Sequence, residues 1–334
     1  MPNYNAAPTP PAQPRGADPV HRLTAPADAA GQRLDQTLAR LLPQHSRNRL
    51  KGWIEAGRVS VGPRVVESPR HKLAGGEALV VAELAGPASA EAAAQPIPLA
   101  VVFEDAALVV VDKPAGLVVH PGSGNRDGTL MNALLHHAPA NAALPRAGIV
   151  HRLDKDTSGL MMVAKTPTAQ TDLVRQLAAR TVRREYLALV HGDLARATTI
   201  DAPIGRHPTQ RTSMAVVATG KPARTHVDVV ERFGAVTLVR CRLETGRTHQ
   251  IRVHLTALGH PLVGDPTYRG RRAAGAAMPE SLRAFARQAL HAQRLSIVHP
   301  VTRAPMAWES PLPADFAALM ADLRAAAGAP AGQR

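Results

Sequence analysis

Hydrophobic spacing divides the chain before any chemistry is considered. In QRLDQTLARLL, Leu34, Leu38 and Leu41 recur at helical intervals, and Pro43 ends the stretch. Ser46 suits an N-cap, Leu50, Trp53 and Ile54 form a second apolar stripe, and Gly57 suits the C-terminal cap. Val59 and Val61 then alternate as a strand, Gly62-Pro63 turns, and Ala78 to Val81 reads as another strand. The pattern predicts a compact α/β module over residues 21–84. Residues 1–20, rich in Pro and Ala, read as a disordered tail, and the small, Pro-containing AGPASAEAAAQPIP (85–98) reads as an interdomain linker.

Beyond residue 98 the periodicity changes. LAVVFED, ALVVVDKP and GLVVH are β-rich and separated by turn signals. TAQTDLVRQLAART is helical, with Leu173 and Leu177 four apart. REYLALVHG, ARTHVDVVERF and AVTLVRCRLE read as strands, the last two joined at Gly234. THQIRVHLTALG reads as a helix capped by Thr248, with Ile251, Leu255 and Leu258 on one face. LHAQRLSIVHP is a strand, and PADFAALMADLRAAA closes the domain as a helix. Strands dominate without regular βα alternation, which predicts an α+β domain over 99–325 on a mainly antiparallel or mixed sheet, followed by a short tail at 326–334.

Composition narrows the partners. The chain has 334 residues, 45% of them hydrophobic, with no run long enough for a membrane span and no signal-peptide pattern at its start. One cysteine, Cys241, excludes an internal disulfide framework and fits a reducing cytoplasm. Lys and Arg number 40 against 26 acidic residues, a net charge of +14. Such an excess points to a polyanion, most often nucleic acid. Aromatics at 3% argue against a generic stacking platform for single strands, so phosphate contacts are expected to supply affinity. In the N-terminal module Arg47, Arg49 and Lys51 lie off the apolar stripe of the second helix and predict an RNA-facing surface. The oligomeric state is silent in the sequence, and a monomer is assumed.

The chemistry concentrates in GIVHRLDKDTSGLMMVAK, residues 148–165. Gly148 to Val150 reads as the end of a buried strand and Leu160 to Val163 as the start of another, so 151–159 projects as a polar loop from a sheet. Asp156-Thr157-Ser158-Gly159 is turn chemistry. His151, Arg152 and Asp154 are three ionisable groups in four residues beside an apolar strand, and they need partners. No HExxH, cysteine cluster or calcium loop supports a metal site, and no Walker or GxGxxG loop supports nucleotide-driven chemistry. Neither a metal nor a cofactor is expected. A general-acid carboxyl suits Asp154 poorly, because the adjacent cation lowers its pKa. An ionised, cation-flanked aspartate suits a nucleophile or base.

HRLDKDTSGL resembles the signature of the RluA-type pseudouridine synthases. The resemblance extends over residues 32 to about 325 through VDKPAGLVVHPG (111–122), REYLALVHG (184–192), RHPTQRTSMAV (206–216), ETGRTHQIRVH (244–254) and GHPLVGDPTY (259–268). Residues 32–84 resemble the small RNA-binding S-four domain, with Gly62-Pro63 in place of its usual Asn-Gly turn. The resemblance implies isomerisation of uridine to pseudouridine without a cofactor. Within the family, the S-four domain, PRAGIVHRLDKDTSGLM and RHPTQRTSMAV resemble enzymes of large-subunit rRNA, which implies that substrate, at clustered uridines of one stem-loop. Another rRNA site, tRNA, or a non-catalytic role in ribosome assembly are the alternatives.

The resemblance also implies roles. Asp154 matches the catalytic aspartate, Tyr186 the tyrosine against the target base, and Arg247 the arginine that pairs with the aspartate. Arg152 matches the residue that helps fill the position vacated by a flipped base. His151 is expected to bond a phosphate or to orient the loop. Lys113, Lys165, Arg206 and Arg211 are expected to contact the RNA backbone.

Overall fold

The computed structural model describes residues 19–42, 45, 47–83, 92–122, 124–210, 213–269 and 279–328. Ser46 and Arg211 lie outside the described residues, as does most of the expected N-terminal tail. The chain forms two compact units, 1–86 and 87–334.

In the first unit, β1 (Val20–Thr24) precedes α1 (Leu34–Leu41) and α2 (Arg47–Glu55). They are followed by β2 (Val59–Val61), β3 (Arg64–Val65) and β4 (Ala78–Ala82). The four strands form an antiparallel sheet in the order β1-β4-β2-β3. The predicted helical stripes are its core: Leu34, Leu38, Leu50, Trp53 and Ile54 pack with Val59, Leu79 and Val81. Gly57 has φ +68°, the left-handed cap expected of it. β1 escaped the hydrophobic pattern because VHRLT buries only every second residue, and only partly.

The second unit begins earlier than its first strand. Gln95 N–H donates to Asn132 O (3.0 Å) and Asn132 Nδ2 to Ala93 O (2.7 Å), so residues 92–98 pack onto this unit instead of acting as a free linker. Its elements are β5 (Val101–Glu104), β6 (Leu108–Lys113), α3 (Leu130–His137), β7 (Ser158–Ala164), α4 (Pro167–Ala178) and β8 (Arg183–His191). β9 (Thr198–Asp201), β10 (Ile204–Arg206), β11 (Met214–Val216), β12 (Arg224–Arg232), β13 (Val236–Leu243) and α5 (Gln250–Ala257) follow. The last are α6 (Glu280–Ala284), β14 (Leu290–Val298), β15 (Pro305–Glu309) and α7 (Ala314–Gly328). Nine strands form one mixed sheet, ordered β5-β6-β7-β14-β8-β13-β12-β9, with β15 on the outer half of β14. Only β7 and β14 pair in parallel; every other ladder in the sheet is antiparallel. The α+β expectation is therefore met.

β7 is buried over its whole length, which explains its unbroken apolar run. Met161 and Val163 join α3 and α5 side chains on one face, while Leu160 and Met162 meet Ala169 and Leu173 of α4 on the other. Cys241 sits in the first of these clusters as a buried thiol whose pKa burial pushes up. α7 covers Leu187 and Leu189 of β8. Gly159 (φ +112°) lies where β7 meets β14, and a Cβ there would overlap the Ala292 backbone.

Two local expectations fail. Gly148 to Val150 is not a strand: Pro145–Gly148 is a tight 3-10 turn, with Arg146 and Ala147 in the left-handed region, and Ile149 makes only an isolated bridge to Val163. GLVVH is likewise not a strand. No helix among the described residues is long and apolar enough to cross a membrane.

Candidate active site

The loop between Gly148 and β7 lies over a cleft of about 320 Å³, lined by His151, Arg152, Asp154, Arg184, Tyr186, Arg247 and Arg252 among others. Four backbone anchors hold the loop. Lys113 Nζ and Gly116 N–H donate to Lys155 O (2.9 and 3.0 Å), Arg287 Nη1 to Asp156 O (3.1 Å), and Thr157 N–H to Asp154 O (3.1 Å). His151 Nε2 accepts the Met162 N–H at 3.1 Å, tying the loop to β7. Rigid neighbours thus fix a loop that carries ionisable groups.

Asp154 is the centre of the constellation. Its Oδ2 accepts from Arg252 Nη1 at 3.0 Å, and its Oδ1 lies 3.8 Å from His249 Nε2. Arg252 also forks onto Asp265, Nε to Oδ2 at 2.7 Å and Nη2 to Oδ1 at 2.8 Å, and lies over the Tyr268 ring at 4.9 Å. Arg252 is 5% exposed and Asp265 fully buried, whereas Asp154 is 16% exposed and faces the cleft. Burial opposes the guanidinium charge, but the two carboxylates outweigh it and hold the Arg252 pKa above its ordinary value. One buried cation therefore serves a buried carboxylate and one open to the cleft.

Arg247 does not take that position. Its Nε donates to Pro222 O (3.2 Å), its backbone N–H to Gln250 Oε1 (3.0 Å), and its side chain is exposed at the cleft. The cause is local geometry. His249, not Thr248, precedes α5, with φ 56°, and this left-handed residue turns 246–248 outward while Arg252 enters with the first helical turn. Gln250 through Leu255 are all buried, so a charge at 252 must be paired. That complete burial was invisible because Ile251, Leu255 and Leu258 suggested one apolar face, and Leu258 is in fact 38% exposed.

Tyr186, on β8 between Cys241 of β13 and Ala292 of β14, is 5% exposed and lines the same cleft. Burial raises its pKa, and Asp154 adds to the rise, so it is a neutral phenol. Arg152 is exposed at the cleft and makes no hydrogen bond or ion pair with the described residues.

Residues 107–257 match the RNA pseudouridylate synthase model, and residues 32–79 match the S-four domain. A protein called ribosomal large subunit pseudouridine synthase D from Nitrosomonas europaea is 57% identical over 304 residues, covering 90% of this chain and 87% of its own. The protein of that name from Pseudomonas aeruginosa is 55% identical over 303 residues, covering 90% and 94%. The chain belongs to the RNA pseudouridylate synthase family. Human RNA pseudouridylate synthase domain containing 1 superposes on the synthase with a TM-score of 0.52 at 29% identity, over 69% of this chain and 96% of that one.

Lys113 and Lys165, expected to contact phosphates, are engaged within the protein. Lys113 is 1% exposed, and Nζ donates to Pro114 O, Leu117 O and Lys155 O. It cannot reach a phosphate: it ends β6 pointing into the loop's underside, and burial pushes its pKa down to about 7. Lys165 bonds Glu104 (2.6 Å) and Asp105 O (2.7 Å). Arg206 is exposed on β10. In the N-terminal unit Arg47 forks onto the buried Asp35, which Arg33 also holds, so it is part of the α1–α2 junction. Arg49 is half-buried, and Lys51 pairs loosely with Glu55 at 3.5 Å.

His151 carries a pH prediction. Burial, helped by the Arg184 cation, pushes its pKa down to about 3. The imidazole is neutral when folded and ionises near 6.5 when unfolded, so the unfolded state binds the extra proton below 6.5. Its contribution to stability is complete above that pH and declines as pH falls towards 3. His151→Asn, whose amide oxygen can accept the Met162 N–H, should flatten this acid limb in denaturant titrations at pH 4 to 7. Parallel limbs in the two proteins would contradict the assignment.

Proposed function

We propose that the synthase acts on large-subunit ribosomal RNA, at clustered uridines of the helix 69 stem-loop, and that Asp154 is its nucleophile. The observation carrying the chemistry is the Asp154 carboxylate, open to the cleft on one side and bonded to buried Arg252 on the other, with Tyr186 in the same cleft. The large-subunit substrate is the one named for relatives 52–57% identical to this chain.

The reaction breaks the uridine N1–C1′ bond, turns the uracil, joins C5 to C1′, and exchanges the C5 proton for one on N1. Atoms and electrons balance within the nucleotide. The Asp154 carboxylate, held by the Arg252 guanidinium, assists loss of uracil by attack on the nucleoside. Tyr186 lies against the base and, as a neutral phenol, relays the C5 proton instead of removing it as a phenolate. The target uridine leaves its stack at a cost of a few kcal/mol, and unpaired Arg152 occupies the gap. Incubating the purified chain with large-subunit rRNA and with tRNA, then mapping pseudouridine, tests the substrate. Modification confined to the stem-loop supports it, and modification of tRNA alone contradicts it.

The N-terminal unit supplies phosphate contacts in this account. Arg64 and Arg70 are exposed there, and Lys51 can exchange its weak partner for a phosphate. Removing residues 1–86 should reduce the slope of log affinity against log salt by at least about 1.5, equivalent to roughly two phosphates. An unchanged slope would place the contacts elsewhere.

A further inference from the structure

The N-terminal unit holds a cluster that RNA binding does not explain. His21 on β1, His45 between α1 and α2, and Glu83 just after β4 bring one nitrogen or oxygen each to within 4.8 Å of one another. Glu83 Oε1 lies 2.7 Å from His21 Nε2 and 3.1 Å from His45 Nε2. His45 is 6% exposed, yet neither of its ring nitrogens makes a hydrogen bond, although Glu83 Oε1 lies 3.1 Å from Nε2. A buried imidazole with both nitrogens unsatisfied is costly, and such groups in a native fold usually have a partner.

We propose that His21, His45 and Glu83 bind a divalent transition metal of the zinc type. Two imidazoles and a carboxylate are an ordinary donor set for zinc, with water completing the tetrahedron. The metal replaces the missing partner of His45 Nε2. Bonds of about 2.0–2.2 Å place ligand atoms roughly 3.3–3.5 Å apart. The cluster reaches that spacing if Glu83 withdraws slightly and the two imidazole nitrogens, within 4.8 Å of each other, close onto the metal. His21 and Glu83 are about one-quarter exposed, which leaves an entry path, while Trp53 packs edge-on to His45 at 4.8 Å and closes the other side.

The surroundings suit a ligating imidazole. Both ring nitrogens of buried His45 lack a hydrogen-bond partner, so one can turn to a metal. Arg49 and Arg58 are the nearby cations: Arg49 acts electrostatically on Glu83, and Arg58 Nη2 donates to the Glu83 backbone carbonyl. Their positive charge opposes a bound metal cation and weakens the site.

The consequence is mechanical. The three ligands come from the β1–β4 edge and the α1–α2 turn, the two parts of a small unit whose core is short of apolar mass. A metal would staple the helix pair to the sheet and fix the direction in which α2 faces. Sequence spacing gives no hint of it, since the ligands are scattered over some sixty residues.

The test uses the full-length, untagged chain after treatment with chelator. Wild type should take up one equivalent of zinc in competition with a chromophoric chelator, and cobalt should give the visible absorption of a tetrahedral site. Glu83→Gln and His21→Gln should each weaken uptake at least about 100-fold. Zinc should raise the unfolding midpoint of the N-terminal unit in wild type and in neither variant. These two positions are partly exposed, so the variants fold even if His45→Gln does not. Equal uptake in wild type and both variants, or none at micromolar zinc, would overturn the proposal and leave a histidine–glutamate ion pair only.

Discussion

Replacing Arg252 by alanine should destabilise the second unit by about 3–5 kcal/mol and abolish pseudouridine formation. Among the described residues the arginine is the only ion-pair partner of fully buried Asp265, and it donates the 3.0 Å bond to Asp154. Without it two carboxylates face each other across the space it filled, and one of them has no access to water. Arg252→Lys separates charge from geometry. A lysine keeps the positive charge but cannot span both carboxylates with three fork bonds, so stability should recover in part while activity stays low. Urea titration with a parallel single-turnover assay checks both variants. An Arg252→Ala protein as stable as wild type would show that the buried network does not carry the load assigned to it. Arg247→Ala offers the contrast: its guanidinium holds only a backbone carbonyl at the surface, and folding stability should change by less than about 0.5 kcal/mol.

Asp154→Asn has the larger effect on rate. The amide keeps the shape and can still face Arg252, but it offers no anionic oxygen to the nucleoside. The ordinary expectation for losing a catalytic nucleophile is a fall of at least about 10⁴-fold. Affinity for RNA should change little, because phosphate contacts dominate it and Asp154 meets the ribose or base. Removing a negative charge from a basic cleft would, if anything, tighten binding slightly.

Much of this site was legible in the chain. The apolar stripes of α1 and α2, the buried run of β7 and the polar loop before it follow from spacing alone, and they put Asp154 at the edge of a core. Tyr186 likewise falls on a strand that the alternation in REYLALV announces. Among the basic residues, what failed shares one cause, the burial of charged groups or of their partners. In VVVDKP, Lys113 reads as the exposed end of a strand, yet the carbonyls of Pro114, Leu117 and Lys155 receive its ammonium. In RTHQIRVH, two arginines five apart compete for one carboxylate, and periodicity favours placing the later one on the wet side of the helix. The left-handed His249 reverses that choice, and no residue type signals a positive φ there. Arg47 looked like a free cation because its partner, Asp35, is twelve residues away across a helix turn.

The most direct test is single-turnover release of tritium from stem-loop RNA carrying 5-tritiated uridine, with binding followed by anisotropy in the same samples. Release reports loss of the C5 proton, which pseudouridine formation requires. Wild type should release tritium from the bound uridines, and Asp154→Asn should bind equally and release none above background. Release by Asp154→Asn at close to the wild-type rate would mean that this carboxylate is not the reacting group.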